Sequence, residues 1–336
     1  MFRKSKVASQ AVQVASLLGD ASGGAVRVGI SGWSYKQWRN VFYPPGLRLR
    51  DQLNFASRAF PSIELNGSFY SLQRPESYRS WREATPDGFV FSIKGGRYVT
   101  HLKRLREAEQ GLANFFASGV LELEAKLGPI LWQLPPTLKF EPERLSEFFG
   151  LLPRTHEQAA ELARQHSDWL AGRVAFGAGG RAKIRHTLEV RHESFVCREF
   201  VALLKKHQIA LCVADSAGLY PLIEDQSADF AYVRLHGSTQ LYTSGYTHAE
   251  LADWAQRIHA FRSGRHAPTA RLAASSAEAD GRKRDVYVYF DNDVKVRAPF
   301  DAWNLERLLR GDAPRDPPES LASVTEEPRS VWAAWR

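Results

Sequence analysis

The stretch AYVRLHGS, residues 231–238, sets Val233 and Leu235 on one parity and Tyr232, Arg234 and His236 on the other. Alternation with a period of two is the mark of a β-strand, because successive side chains leave opposite faces. Downstream, THAELADWAQRIHAF (247–261) carries its apolar residues at helical spacing, so the two together read as one βα unit. Working outward in both directions, the unit recurs. Strand-length runs appear at 26–33 (VRVGISGW), 62–70 (SIELNGSFY), 89–96 (FVFSIKGG), 128–136 (GPILWQLPP), 186–195 (HTLEVRHESF), 209–216 (IALCVADS) and 285–293 (DVYVYFDND). Amphipathic helical segments follow most of them, at 51–60, 75–84, 109–118, 142–152, 197–208 and 300–311; only the sixth run is followed by a short SAGLYPLIED (216–225) instead. Eight such repeats predict a closed (β/α)8 barrel, an α/β fold. An open doubly wound sheet is the alternative, and no GxGxxG follows the first run to support it.

The barrel is placed at 26–310. Residues 1–25 read as a flexible tail, and 311–336 as a C-terminal extension with Pro314, Pro317 and Pro318 that ends VWAAWR, whose two Trp are expected to dock on the barrel. Two insertions interrupt the pattern: 155–185, an extra helix (EQAAELARQHSDWLAG) with a Gly-rich exit, and 262–284, expected as a mobile basic loop.

The chain has 336 residues, 44% of them apolar, and a net charge of +8. Its two cysteines, Cys197 and Cys212, exclude a disulfide scaffold or a four-Cys zinc site and fit a reducing, cytoplasmic compartment. No run approaches the roughly 18–20 apolar residues of a spanning helix, so no membrane segment is expected. Basic charge invites a nucleic-acid partner. Its distribution weakens that reading: the tail holds +2, the 262–284 loop +4 and the segment after Gly311 −2, which leaves +4 for the barrel.

Strand parity sorts each run into a helix-facing and a lumen-facing side. The lumen side collects Ser31 and Trp33, Glu64 and Asn66, Ser92 and Lys94, Gln133, Glu189 and Arg191, Asp215, Arg234 and His236, and Asp291. The ionisable ones lie toward the C-terminal strand ends, where barrel enzymes carry their sites. A barrel interior is ordinarily aliphatic, and buried charges are costly unless paired, so this set calls for an explanation. Three remain open. Glu64 and Glu189 are candidate acid and base, with His236 and Asp215 transferring or orienting protons. Lys94, Arg191 and Arg234 would then bind a small anionic or polyhydroxy ligand, with Trp33, Asn66, Tyr70, Gln133, Tyr242, Asp291 and Asn292 as further ligand contacts. Alternatively, Glu189, Asp215, His236 and Asp291, on four consecutive strands, are an oxygen-rich set for a divalent metal, although no HxH or HExxH spacing supports one. The third explanation is a self-neutralising salt network in a scaffold barrel. Aromatic residues near the expected mouth, Trp33, Tyr35, Trp38, Phe69, Tyr70, Tyr242 and Tyr246, offer flat faces for sugars or bases. The Gly95-Gly96-Arg97 turn presents backbone N–H groups suited to phosphate.

Several of these segments carry a resemblance. GISGWSY with a following FYP (42–44), IELNGSFY, FVFSIK (89–94), KLGPILWQLPP (126–136), LEVRHESF, the Asp of VADS, YVRLHG with a following Tyr, and YVYFDND resemble the bacterial family called domain of unknown function 72, or YecE-like, in order over about residues 26 to 310. The resemblance implies a TIM barrel and no particular reaction. The family pattern has two adjacent asparagines in the eighth-strand motif, where this chain has Asp291 and Asn292, and it lacks the basic loop. The barrel is also similar at the fold level to sugar isomerases and apurinic endonucleases, which implies a phosphate or metal ligand. The reading that emerges is hydrolase or isomerase chemistry at the C-terminal mouth on a phosphate-bearing or sugar-like ligand, with two alternatives: a nucleic-acid-binding barrel that uses the basic loop, and a scaffold.

Overall fold

The computed structural model describes residues 24–274 and 280–316. Eight parallel strands close into a barrel in sequence order, β1 (Val26–Ser31), β2 (Ser62–Leu65), β3 (Val90–Lys94), β4 (Leu127–Gln133), β5 (His186–Glu189), β6 (Ala210–Asp215), β7 (Phe230–Leu235) and β8 (Asp285–Phe290), with β8 pairing back to β1. Each of the eight expected runs overlaps one strand, with β4 and β7 starting one residue earlier than expected. The outer helices are α1 (Gln52–Ala59), the single turn α2 (Gly67–Tyr70), α3 (Pro75–Ala84), α4 (Glu109–Ala117), α5 (Pro142–Leu151), α6 (His156–Ala163), α7 (Arg198–His207), α8 (His248–Arg262) and α9 (Arg297–Leu309). No helix lies between β6 and β7.

Local chemistry sets the helix starts. Pro75 and Pro142 open α3 and α5 at positions where no N–H is needed. Thr247 and Glu250 form a reciprocal capping box on α8. In the 155–185 insertion, Thr155 accepts from the Gln158 N–H to cap α6. The helix ends at Ala163, well before the 172 expected from sequence, and a short 3-10 turn at Asp168–Leu170 follows it.

Two apolar layers result. Outward residues such as Ile63, Leu65, Leu188, Val233 and Val288 join the helix faces in one large core. Inside, Leu131, Ala210, Cys212, Phe230, Tyr232, Tyr287 and Tyr289 fill the lower lumen. Above that floor the lumen turns polar.

The loop at 262–284 is tied down where it is described. The Glu224 carboxylate accepts from the Arg271 N–H at 2.8 Å, and that of Asp225 from the Ala273 N–H at 2.7 Å. Arg284 is buried and donates to Asp280 at 2.6 Å. The expectation of a freely mobile loop is therefore corrected for these residues: carboxylates from the β6–β7 connection fix its backbone. Its last residues enter β8 at the N-terminal end of the barrel, opposite the mouth. The Trp pair at the C-terminus, and all of the tail before Gly24, lie outside the described residues. Among the described residues no helix is long and apolar enough to cross a membrane.

Candidate active site

Strand register builds the polar lumen layer by layer. Ser31 lies beside Glu64, and Glu64 beside Ser92. Gln133 lies beside Glu189, and Arg234 lies between Ala214 and Tyr289. Because Ala214 shares the Arg234 level, the Arg234 guanidinium has room to lie across the barrel.

Arg234 is fully buried and is the hub. Its Nη2 donates to Glu64 Oε1 and to Asp291 Oδ2, both at 2.7 Å, its Nε to Glu64 Oε2 at 3.0 Å and its Nη1 to Glu189 Oε2 at 2.7 Å. Glu64 also accepts from the Ser31 hydroxyl and, at 2.6 Å, from the Tyr232 hydroxyl. Arg191 donates to Glu189 Oε1 at 2.7 Å and to Gln133 Oε1 at 2.9 Å, and its guanidinium lies 4.6 Å from the centre of the Tyr220 ring. His236 Nδ1 sits 3.1 Å from Asp291 Oδ2, and its ring meets Tyr242 edge to face. Burial alone would make Glu189 and Asp291 weaker acids, pushing each carboxyl above its ordinary range. The arginines outweigh it: Arg191 and Arg234 hold the Glu189 carboxyl, and Arg234 with His236 the Asp291 carboxyl, well below the usual carboxylate range.

Above this network lies a cavity of about 660 Å³, walled by Trp33, Tyr35, Asn66, Tyr70, Trp81, Lys94, Tyr242, Asp291 and Asp293. Lys94, at the end of β3, is only 8% exposed. Among the described residues its ammonium makes no ion pair and no hydrogen bond; its near neighbour is the Phe69 ring, with Nζ 4.4 Å from the ring centre. Burial, and then the Arg234 charge, bring its pKa down to about 8. Asp293 moves the other way. Burial and the adjacent Asp291 carboxylate push its carboxyl well above the usual range, and its Oδ1 has no partner among the described residues.

The structure thus gathers Ser31, Glu64, Ser92, Lys94, Gln133, Glu189, Arg191, Arg234, His236 and Asp291 in one lumen, and puts Trp33, Asn66, Tyr70 and Tyr242 at its mouth. Asn66 donates to the Ser31 hydroxyl at 2.9 Å, and Tyr70 is 69% exposed. Asp215 does not join them. On β6 the small residues Ala210, Cys212 and Ala214 face the lumen, so Asp215 projects outward beside Leu235. It accepts from the Tyr246 hydroxyl at 3.1 Å in a separate cavity of about 510 Å³ against α8. The inward placement read from sequence is corrected accordingly. Asn292 also turns away, donating to Asp301 at 2.7 Å and to the Ser244 carbonyl at 3.0 Å. Trp38 and Tyr246 are buried packing residues rather than mouth faces.

The Gly95 turn has a structural reason. A Cβ there would come within 2.3 Å of the Trp132 ring, and the Gly95 N–H already donates to the Leu131 carbonyl. Among the described residues no three His, Cys, Asp or Glu side chains converge on a metal position. With Asp215 on the outer face and Glu189 fully engaged by arginines, the four-residue metal set does not fit an ion. Asp293 was the residue missed by the sequence reading. Extending the β8 parity two residues past Asp291 puts it on the same side.

A sequence profile described as a protein of unknown function, DUF72, matches residues 27–322, and the chain belongs to that family. It is similar to the UPF0759 protein YecE of Escherichia coli K12, 28% identical over 127 residues, which cover 38% of this chain and 43% of YecE. It is likewise similar to the UPF0759 protein YunF of Bacillus subtilis, 28% identical over 126 residues, 36% of this chain and 44% of YunF. The matched stretch thus spans less than half the length of these curated relatives. Among solved structures, a DUF72 family protein of Thermotoga maritima superimposes with a TM-score of 0.62 at 23% identity, covering 85% of this chain and 99% of that one. One from Enterococcus faecalis gives 0.60 at 15% identity, covering 85% and 95%. At these identities the likeness carries the barrel fold alone.

Proposed function

We propose that this protein is an enzyme that applies acid/base chemistry to a small phosphate-bearing or sugar-like ligand held in the cavity at the barrel mouth. The observation that carries the reading is Lys94: a residue only 8% exposed whose side chain lines that cavity and whose ammonium has no carboxylate partner among the described residues, while Arg234 is engaged by three carboxylates. An unpaired buried charge costs stability, and a ligand oxygen or anion is what would offset it. Trp33 and Tyr70 supply flat faces for a polyhydroxy chain or ring, and Asn66 and Tyr242 supply polar contacts. Asp293, whose carboxyl is pushed well above the usual range by burial and by Asp291, is the group suited to give up a proton, and His236 Nδ1 lies 3.1 Å from Asp291 Oδ2. In this reading Glu64 and Glu189 are positioning residues. Arg234 engages Glu64 at both oxygens, Arg191 and Arg234 divide the oxygens of Glu189, and both carboxylates are buried beneath the cavity.

Calorimetric titration with glucose 6-phosphate and inorganic phosphate tests it. Saturable binding is expected, weakened about tenfold or more in Lys94→Met, the size of a lost charge-assisted hydrogen bond. Absence of binding to the wild type, or equal binding to the variant, overturns the assignment. The saturation around Arg234 favours a second reading, a scaffold barrel with a structural salt network, which predicts a sharp loss of thermal stability in Arg234→Met and no ligand bound at the mouth.

A further inference from the structure

We infer that Lys94 is an amine nucleophile that condenses with the carbonyl carbon of an open-chain hydroxy-aldehyde or hydroxy-ketone to form an iminium. This rests on the reading that the mouth cavity holds a sugar-like ligand, and it narrows that ligand to a carbonyl compound. Four observations carry it. The Lys94 side chain lines the cavity from the C-terminal end of β3, and its ammonium has no hydrogen bond or ion pair among the described residues. It rests on the Phe69 ring, with Nζ 4.4 Å from the ring centre, so a nonpolar surface replaces water on that side. The Asp293 carboxyl, with one oxygen unpartnered, lines the same cavity and can hand over a proton. Gly95, directly after Lys94, packs against Trp132 where no side chain fits, which fixes the strand end that carries the lysine.

A lysine needs its free amine to attack, and desolvation beside a second cation is how proteins supply it near neutral pH. Both conditions hold at Lys94, where burial and Arg234 bring the ammonium down to about 8. The charged groups acting on it are Arg234, Glu189, Asp291 and Glu64, all of them in the network below.

The step balances within the site. The amine lone pair forms the C–N bond while the carbonyl π pair moves to oxygen. A proton shifts from nitrogen to that oxygen, giving a carbinolamine. Asp293 then protonates the hydroxyl, the C–O bond breaks with loss of water, and the nitrogen lone pair closes the C=N⁺ bond, leaving Asp293 as a carboxylate. No oxidant or reductant is consumed.

The test uses the full chain with glycolaldehyde and sodium cyanoborohydride, which reduces any iminium to a stable secondary amine, followed by peptide mapping by mass spectrometry. One equivalent is expected on Lys94, at least tenfold faster than on Lys36 or Lys205, with the rate levelling off above about pH 8. Folded Lys94→Arg, checked by circular dichroism, should lose that fast equivalent. Labelling of Lys94 no faster than of the other lysines, or a rate still climbing at pH 10, overturns the inference. If sugar phosphates bind through Lys94 and no adduct forms, the nucleophile falls and the binding reading stands. If glycolaldehyde labels Lys94 rapidly while phosphate ligands neither bind nor protect it, the nucleophile stands and the phosphate assignment falls.

Discussion

Two cations share the lumen, and they are treated in opposite ways. Arg234 meets three carboxylates at hydrogen-bonding distance, whereas Lys94, lining the cavity above it, meets an aromatic ring and, among the described residues, no carboxylate. Both are charged side chains on inward strand positions, so burial alone does not explain the difference. A guanidinium has five donors in a plane and can satisfy several carboxylates at once. An ammonium on a flexible stem is the cheaper group to leave without a partner, because it can shed its proton. Structural charge is therefore concentrated in the arginine network, and available charge in the lysine.

The largest effect should come from breaking the hub. Arg234→Met removes the arginine partner of Glu64 and Asp291 and leaves Glu189 with Arg191 alone, and urea unfolding should show a loss of about 3–5 kcal/mol. Lys94→Met removes a charge that has no partner, and at pH 7 it should leave stability unchanged or raise it. Equal losses in the two variants would erase the distinction between the two cations.

A pH series sharpens the same contrast. Because the folded-state pKa of Lys94 is lowered to about 8 from an ordinary 10.5, the unfolded chain binds the extra proton between those values, and wild-type stability gains as pH rises through that window. The burden is fully present below about pH 8 and gone above 10.5. The stability advantage of Lys94→Met over wild type should accordingly shrink by about 3 kcal/mol across that range. A constant difference between the two proteins would mean that folding does not lower the Lys94 pKa.

The smallest effect is expected on the outer side of β6. Asp215→Asn should change stability by under about 1 kcal/mol, the scale of a single neutral hydrogen bond, and should leave phosphate titrations at the mouth untouched. A tenfold loss of ligand affinity in Asp215→Asn would instead return Asp215 to the lumen site.

The barrel was legible from sequence because amphipathic strands such as β2, β5 and β7 declare their inner face by polarity. Glu64, Glu189 and Arg234 each stand between aliphatic neighbours. β6 makes no such declaration: Ala210, Cys212 and Ala214 are as apolar as Leu211 and Val213, and the inner face is set by size. Small residues face inward there because Tyr232 and Tyr289 already fill that level of the lumen. Parity without a size argument therefore sent Asp215 to the wrong side. Asn292 is a different case: strand parity already sets it opposite Asp291, and its amide is a strut for Asp301. The pairing of charges was not legible at all, because it depends on distances across the barrel that no one-dimensional spacing encodes. That Lys94 is the cation left over emerges only once Arg234 and Arg191 are seen to occupy Glu64, Glu189 and Asp291.

The tyrosine floor of the lumen has a kinetic corollary. With Tyr232, Tyr287 and Tyr289 closing the barrel below the charge network, the cavity is a blind well rather than a channel. A ligand held there would leave by the opening through which it arrived. On the proposed function, a released product would then compete directly with the next substrate molecule for the same well.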